Sequence, residues 1–253
     1  MTELSVQNIS LKAGDAALVQ NASFRLGKGE FVALLGPNGA GKTSLIRASL
    51  GLDVPASGKA VLGGEDTSSL APVIRARQLA YLPQIRPLAW PNTVRDVVAL
   101  GRFSHGAVLG RLKGSDAEAV DRAIVACDLT ALAHRSADTL SGGELARMHC
   151  ARAFAAEAPL FIADEPTAAL DPRHQFRILD LIADFVEQGG GALVVLHDIG
   201  MAARYASRLI WMKDGRIIAD GSPSETLTGE RLEEIYAVRA SIDGKRVHMD
   251  GPL

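Results

Sequence analysis

The stretch from Phe31 to Gly51, FVALLGPNGAGKTSLIRASLG, decides the fold. Its first five residues, Phe31 to Leu35, form a short continuous apolar run, the pattern of a strand covered on both faces. The next eight, Gly36-Pro37-Asn38-Gly39-Ala40-Gly41-Lys42-Thr43, fit a phosphate-binding loop in full, and Ser44 begins a helical pattern that stops near Gly51. Strand, loop and helix in that order are the context such a loop requires. Its glycines let backbone N–H groups turn inward around a β-phosphate, and the helix N-terminus adds its positive end. Lys42 can reach β- and γ-phosphates, and the Thr43 hydroxyl suits Mg²⁺. A glycine-rich turn that met the pattern by accident would not need the flanking strand and helix.

The bulk properties bound what can surround this loop. At 253 residues the chain can bury a full core and reads as one domain with an elaborated insert. A net charge of −2 argues against a nucleic-acid partner, which calls for a strongly basic face. No apolar run is long enough to cross a bilayer, and the opening MTELSVQNIS lacks the charged start and apolar middle of a secretion signal, so a cytoplasmic location is expected. Cys127 and Cys150 fall in helical patterns without CxxC spacing, which predicts buried, reduced thiols.

Upstream, LSVQNISL and AALVQNASFRL alternate polar and apolar residues around a turn at Gly14-Asp15, as antiparallel strands with one wet face do. From about Thr93 to Glu157 the pattern becomes helical, with two capping-box starts, Ser115 with Glu118 and Ser141 with Glu144. Val120, Ala123, Ile124 and Cys127 recur at helical spacing and give one apolar face. Two further strand-like runs follow, Leu160 to Ala163 and Ala192 to Leu196, and the tail reads as a hairpin turning at Asp243-Gly244.

Ligands of open parallel sheets bind beyond the carboxyl ends of the strands. Three runs here end in residues suited to chemistry: the phosphate loop, Asp164-Glu165 and His197-Asp198. Asp164 can hold the same Mg²⁺, and Glu165, one residue on, can orient and deprotonate a water. Alone, an Asp-Glu pair reads as a solvated strand end, His197 as a satisfied edge histidine, and Gln84 in YLPQ as a loop residue. The convergence of three strand ends favours a single site.

DTLSGGELAR, Asp138 to Arg147, raises a separate question, because Ser141, Gly142 and Gly143 open a second helix whose N–H groups suit phosphate. Phosphate loop, Gln84, LSGGE, LFIADEPT, AALD at Ala168 to Asp171, and His197 occur together and in this order in the ATP-binding subunits of ABC transporters, which the chain resembles over nearly its whole length. LSGGE discriminates, since kinases and GTPases with a phosphate loop lack it. The resemblance implies an α/β fold: a P-loop NTPase core with a mostly parallel sheet, an N-terminal antiparallel β region and an inserted α-helical subdomain. It implies a single nucleotide-binding domain, with core residues 1–86 and 158–225, helical subdomain 87–157 and tail 226–253. It also implies ATP and Mg²⁺, and two copies paired head to tail, so that Ser141, Gly142 and Gly143 serve the partner's ATP. Thr43, Gln84 and Asp164 would hold the metal, Glu165 would be the general base and His197 the γ-phosphate contact. Gln84 would sense metal and water, and Asp171 would link the two sites.

The segments YLPQIRPLAWPNTVRDVVALGRFSH, LSGGELARMHCARAFA, LHDIGMAARYASRLI and GRIIADGSPSETLTGERLEEIYAV resemble the subgroup serving importers of ferric siderophores, haem or cobalamin. Zinc, manganese and other small-solute importers have related segments. The resemblance implies membrane permease subunits, indirectly a substrate-binding protein, and a place at the cytoplasmic face of the inner membrane. Gln84 to Arg102 is the candidate permease surface, with Leu88, Ala89 and Trp90 as interface or core. One feature departs from the family. No aromatic residue precedes Phe24 to stack on adenine, which predicts weak base selectivity and modest ATP affinity. A soluble relative acting in translation or DNA repair would carry two cassettes or long coiled coils, and a plain kinase or GTPase would leave LSGGE unexplained.

Overall fold

The computed structural model of the protein describes residues 2–84, 92–108, 110–168, 170–244 and 246–252. The chain forms two compact units, one of Met1–Leu70 with Gly191–Leu253, the other of Ala71–Gly190.

The first unit opens with a hairpin of β1 (Leu4–Ala13) and β2 (Ala16–Leu26), Ala13 opposite Ala16 around the expected Gly14-Asp15 turn. The alternation buries Leu4, Val6, Ile9 and Leu11 and leaves the intervening polar residues wet. β3 (Phe31–Leu35) is buried at every position. After α1 (Lys42–Ser49), β4 (Ser57–Leu62) and β5 (Glu65–Asp66) complete an antiparallel sheet in the order β2-β1-β4-β5.

The second unit begins with α2 (Pro72–Gln78) and β6 (Leu79–Leu82), then α3 (Val94–Ala99), which tightens into a 3-10 turn over Leu100–His105. α4 (Gly114–Ala126), α5 (Gly142–Phe154), β7 (Leu160–Ala163) and α6 (Pro172–Glu187) follow. β6 and β7 pair in parallel, from Leu79 opposite Leu160 to Leu82 opposite Ala163. α3 packs on α4 and α5, and the predicted face of Val120, Ala123, Ile124 and Cys127 is buried. Phe154 touches both Phe161 and Phe185, with ring centroids 5.2 and 5.8 Å away, and this cluster anchors β7. Cys127 and Cys150 are free and buried, and burial pushes the Cys127 thiol far up.

One expected capping box does not form. α4 begins at Gly114, so Ser115 lies inside the first turn, and Lys113 at the N-cap makes no side-chain cap. With the helix starting ahead of Ser115, Glu118 turns to Arg122 at 3.7 Å, and Asp116 in the first turn accepts a 2.9 Å hydrogen bond from Arg102 Nε.

The chain then returns to the first unit with β8 (Gly191–Val195), α7 (Ile199–Tyr205), β9 (Arg208–Lys213) and β10 (Arg216–Gly221). It ends in α8 (Pro223–Thr226), α9 (Gly229–Tyr236) and a hairpin of β11 (Val238–Asp243) with β12 (Arg246–Pro252), turning at Gly244 as expected. β3 lies between β8 and β9 and runs parallel to both, while β10 is antiparallel on β9. Leaving water is worth about 1.5–3 kcal/mol for each fully buried Val, Leu, Ile or Phe, which keeps β3 and β8 buried at every position.

Candidate functional site

The phosphate loop lies between β3 and α1. Its first and last glycines are fixed by geometry. Gly36 has φ +149°, and a Cβ there would lie 2.2 Å from the Met212 carbonyl oxygen. Gly41 has φ +93°, and a Cβ would lie 2.3 Å from the Leu18 carbonyl oxygen. Only glycine fits either position. Lys42 is buried, and its Nζ bridges the loop, donating to Gly36 O at 2.7 Å and Pro37 O at 3.0 Å. Ala40 is buried beneath the loop, while Asn38, Gly39 and Thr43 are exposed and Pro37 and Ser44 half-buried.

Gly41 caps α1 without any side-chain hydrogen bond, and the first turn holds no acidic residue. The N–H groups that open an α-helix have no partner within it. No side-chain cap or carboxylate therefore competes at the positive end of this helix, an arrangement that suits an anion. His197 lies between β8 and α7 and is exposed, and Asp198 caps α7 by accepting from Met201 N at 2.9 Å.

In the second unit Asp164 N–H donates to Leu82 O at 2.9 Å, which extends the β6–β7 ladder by one rung. The ladder sets the fully buried Asp164 directly at the carboxyl end of β7. Glu165 has φ +52°, a left-handed turn that a non-glycine residue adopts at a cost of about 1–2 kcal/mol. Gln84, two residues beyond β6, donates from Nε2 to Glu165 Oε2 at 2.7 Å. The structure thus brings Gln84 and Glu165 together and fixes one carboxylate oxygen.

The second predicted helix start forms as expected. Ser141 is the N-cap of α5, and its hydroxyl oxygen accepts from Glu144 N at 3.4 Å. Ser141 N–H and hydroxyl donate to Glu144 Oε2 at 2.8 and 2.9 Å. Those hydrogen bonds, the Ser141 N–H first among them, hold the Glu144 carboxyl below the usual range. Ser141's own donors are thus taken by Glu144, whereas Gly142 and Gly143, inside the first turn, have no intrahelical acceptor. Asp171 caps α6 by accepting from His174 N at 3.0 Å, and its carboxylate also takes His174 Nδ1 at 2.8 Å. His174 was not among the expected site residues. The available signal was Asp171-Pro172, a capping residue followed by proline, which marks the start of its helix.

The candidate permease surface, Gln84 to Arg102, is described only in part. Leu88, Ala89 and Trp90 lie outside the described residues. Val94, Val97, Val98 and Ala99 are core, and Arg102 is buried. Arg102 donates to Asp116, to Ala155 O at 3.0 Å and to Glu157 at 3.0 Å, so it is committed within its own unit. The apolar side chains of α3 face its neighbouring helices because they recur at helical spacing. Phe103, beyond α3, remains 54% exposed.

The family model described as ABC transporter matches residues 19–168. The chain is 42% identical over 219 residues to the hemin import ATP-binding protein of Nocardia farcinica, covering 87% of this chain and 75% of that one. It is 37% identical over 243 residues to the ferric enterobactin transport ATP-binding protein of Escherichia coli, covering 96% and 90%. Among solved structures, the dimeric structure of a bacterial ABC transporter cassette superposes with TM-score 0.75 at 28% identity, over 87% of this chain and 98% of that one. With a complete phosphate loop, a capped LSGGE helix start and these relatives, the chain belongs to the ABC transporter family, whose ATP-binding cassettes hydrolyse ATP.

Proposed function

We propose that the chain is the ATP-hydrolysing subunit of an importer of a metal chelate: a ferric siderophore, haem or cobalamin. It would work as a pair of copies on integral-membrane permease subunits, which a substrate-binding protein supplies, at the cytoplasmic face of the inner membrane. Among the described residues no helix is long and apolar enough to cross a membrane, so the membrane passage would belong to the permease. The observation that carries the reading is the second glycine-opened helix start, Ser141 to Gly143, on a chain whose phosphate loop is already complete. The cargo class follows the names of the relatives, hemin import and ferric enterobactin transport.

In this reading the chain is one nucleotide-binding domain, with core 1–86 and 158–225, helical part 87–157 and tail 226–253. Gly36 to Ser44 wrap the phosphates, and Lys42 exchanges its loop carbonyls for phosphate oxygens. Among the described residues no group of three or more His, Cys, Asp or Glu side chains could hold a metal ion. Mg²⁺ suits that poverty, because it keeps waters and substrate phosphates among its ligands. The chain would contribute oxygen donors from Thr43, Gln84 and the buried Asp164. Bound there, Mg²⁺ neutralises charge that develops on the phosphates.

Glu165 takes the proton from the attacking water, and Gln84 holds its carboxylate in place. His197 contacts the γ-phosphate, and Asp171 links the two sites of the pair. Gly142 and Gly143 of the second copy supply N–H donors to the same phosphate, with Ser141 joining once Glu144 releases it. Loss of the γ-phosphate removes the anion that joins the copies, which lets them separate.

The test is to isolate the native complex and identify the permease and its cargo. Co-purification with a permease, and ATP hydrolysis stimulated by a chelate-loaded binding protein, is the expected result. A chain recovered with no integral-membrane partner overturns the transport reading, and a permease that moves a simple ion overturns the chelate.

A further inference from the structure

The two glycines of the LSGGE segment sit in different surroundings. A Cβ built on Gly142 meets nothing within 4 Å. One built on Gly143 would lie 2.6 Å from His174 Cδ2, 2.8 Å from Cγ and 2.9 Å from Nε2. The imidazole of His174 therefore lies directly against the Gly143 backbone, in the space any larger residue would need.

That ring is held. Asp171 accepts from His174 N at 3.0 Å, and its two carboxylate oxygens lie 2.8 and 2.9 Å from Nδ1. A carboxylate is an acceptor only, so Nδ1 carries the proton. Turning the ring aside would break the Nδ1 bonds, and a proline at the first helical position stiffens the chain between Asp171 and His174. The opposite ring edge abuts the first turn of α5, whose other local fastening is the capping box between Ser141 and Glu144.

We propose that His174 is a positioning residue for ATP hydrolysis: braced by Asp171, its ring sets the first turn of α5 and thereby aims the Gly142 and Gly143 N–H groups. The proposal rests on the reading that these groups meet the γ-phosphate held by a second copy. It makes Asp171, His174 and Gly143 one rigid relay inside a single subunit. A movement of the loop that carries Asp171 is passed by the ring to the partner's phosphate contact. Gly142 stays open for the approach of the ligand, and Gly143 is glycine because the histidine occupies its side-chain space.

Displacement of a catalytic group by about 1 Å costs on the order of 100-fold in rate. His174→Ala in the intact transporter complex is expected to lower kcat by about 10- to 100-fold with KM for ATP changed less than about threefold. His174→Asn, which keeps an N–H near the Nδ1 position, should recover part of that loss. Gly143→Ala alone should be severely impaired, because the ring cannot give way. Because removing the ring makes room for the new methyl, the Gly143→Ala/His174→Ala pair should retain at least about fivefold more activity than the product of the two single variants' residual activities, as contacting residues do.

Circular dichroism melts of all four variants check that they fold, and His174→Asn carries the test should His174→Ala fail to. The nucleotide-sandwich reading is measured separately, through pairing of Glu165→Gln on ATP. A Glu165→Gln chain that stays single with ATP overturns that reading and this inference together. If it pairs, wild-type kcat in both His174 variants, or effects of Gly143→Ala and His174→Ala that simply multiply, overturns the inference alone.

Discussion

Glu165→Gln separates binding from chemistry, because the two magnitudes involved differ widely. Gln84 Nε2 donates to Glu165 Oε2 at 2.7 Å, and a glutamine at 165 still offers a carbonyl oxygen there. The bond changes from a charge-assisted one, worth about 1.5–3 kcal/mol, to a neutral one worth about 0.5–1.5. The loss is about 1 kcal/mol. The φ of +52° is retained at the same small cost, since glutamine and glutamate share their backbone preferences. ATP affinity should therefore change by less than about tenfold. Removing the base itself should cost about 10²–10⁴ in kcat, or roughly 2.7–5.5 kcal/mol of barrier. Phosphate release under saturating ATP measures the rate, and light scattering with ATP and Mg²⁺ measures pairing. A variant that hydrolyses within tenfold of wild type refutes Glu165 as base. One that loses ATP binding refutes the separation of the two roles.

Three other outcomes follow from the same geometry. Arg102→Met strips Asp116, Glu157 and Ala155 O of one shared donor, and because both carboxylates are partly hydrated the cost should lie near 2–3 kcal/mol of unfolding free energy in urea; a change under about 0.5 kcal/mol refutes it. Glu144 has its folded pKa depressed by Ser141, so its contribution is full above the unfolded glutamate value and is lost as pH falls through the folded one; the melting temperature of wild type should drop more steeply in that acid range than that of Glu144→Gln. With no aromatic between Lys12 and Leu18, ATP and GTP should bind within about tenfold of each other, since base stacking worth about 1–3 kcal/mol is missing; low-micromolar ATP binding with strong rejection of GTP contradicts this.

Much of the fold was legible because its strongest signals are simple. Phe31–Leu35 and Leu160–Ala163 match their strands residue for residue, since an all-apolar run must be covered on both faces. The Gly14-Asp15 and Asp243-Gly244 turns match because left-handed glycines mark them. Partners distant in sequence were not legible. Ser115-x-x-Glu118 has the pattern of a capping box, yet Arg102, fourteen residues away, draws on Asp116 and the helix starts early. Val94, Val97 and Val98 lie within the stretch expected to meet a permease, and it is the packing of α3 on α4 and α5 that buries them. The contact of His174 with Gly143, thirty-one residues back, had no mark in the sequence, since Asp171-Pro172 signals only the start of its helix.

The capping box at Ser141 bears on why a half-site can exist in a single copy. An exposed helix start with two glycines is poorly held, because glycine costs about 1 kcal/mol relative to alanine inside a helix. Glu144 offsets this by accepting both donors of Ser141, a carboxylate standing where an anion suits the helix end. The same carboxylate repels a phosphate. Full engagement of Ser141 by a phosphate would therefore require Glu144 to swing away, an exchange that would lower the affinity of the half-site. On the proposed reading, such a site would hold a phosphate firmly only when a second subunit presents it already bound. A lone nucleotide would be held by the Gly36–Thr43 loop, where α1 has no acidic residue to compete. On that reading the two helix starts would divide the labour through one side chain, a carboxylate in the first turn of α5 and none in the first turn of α1.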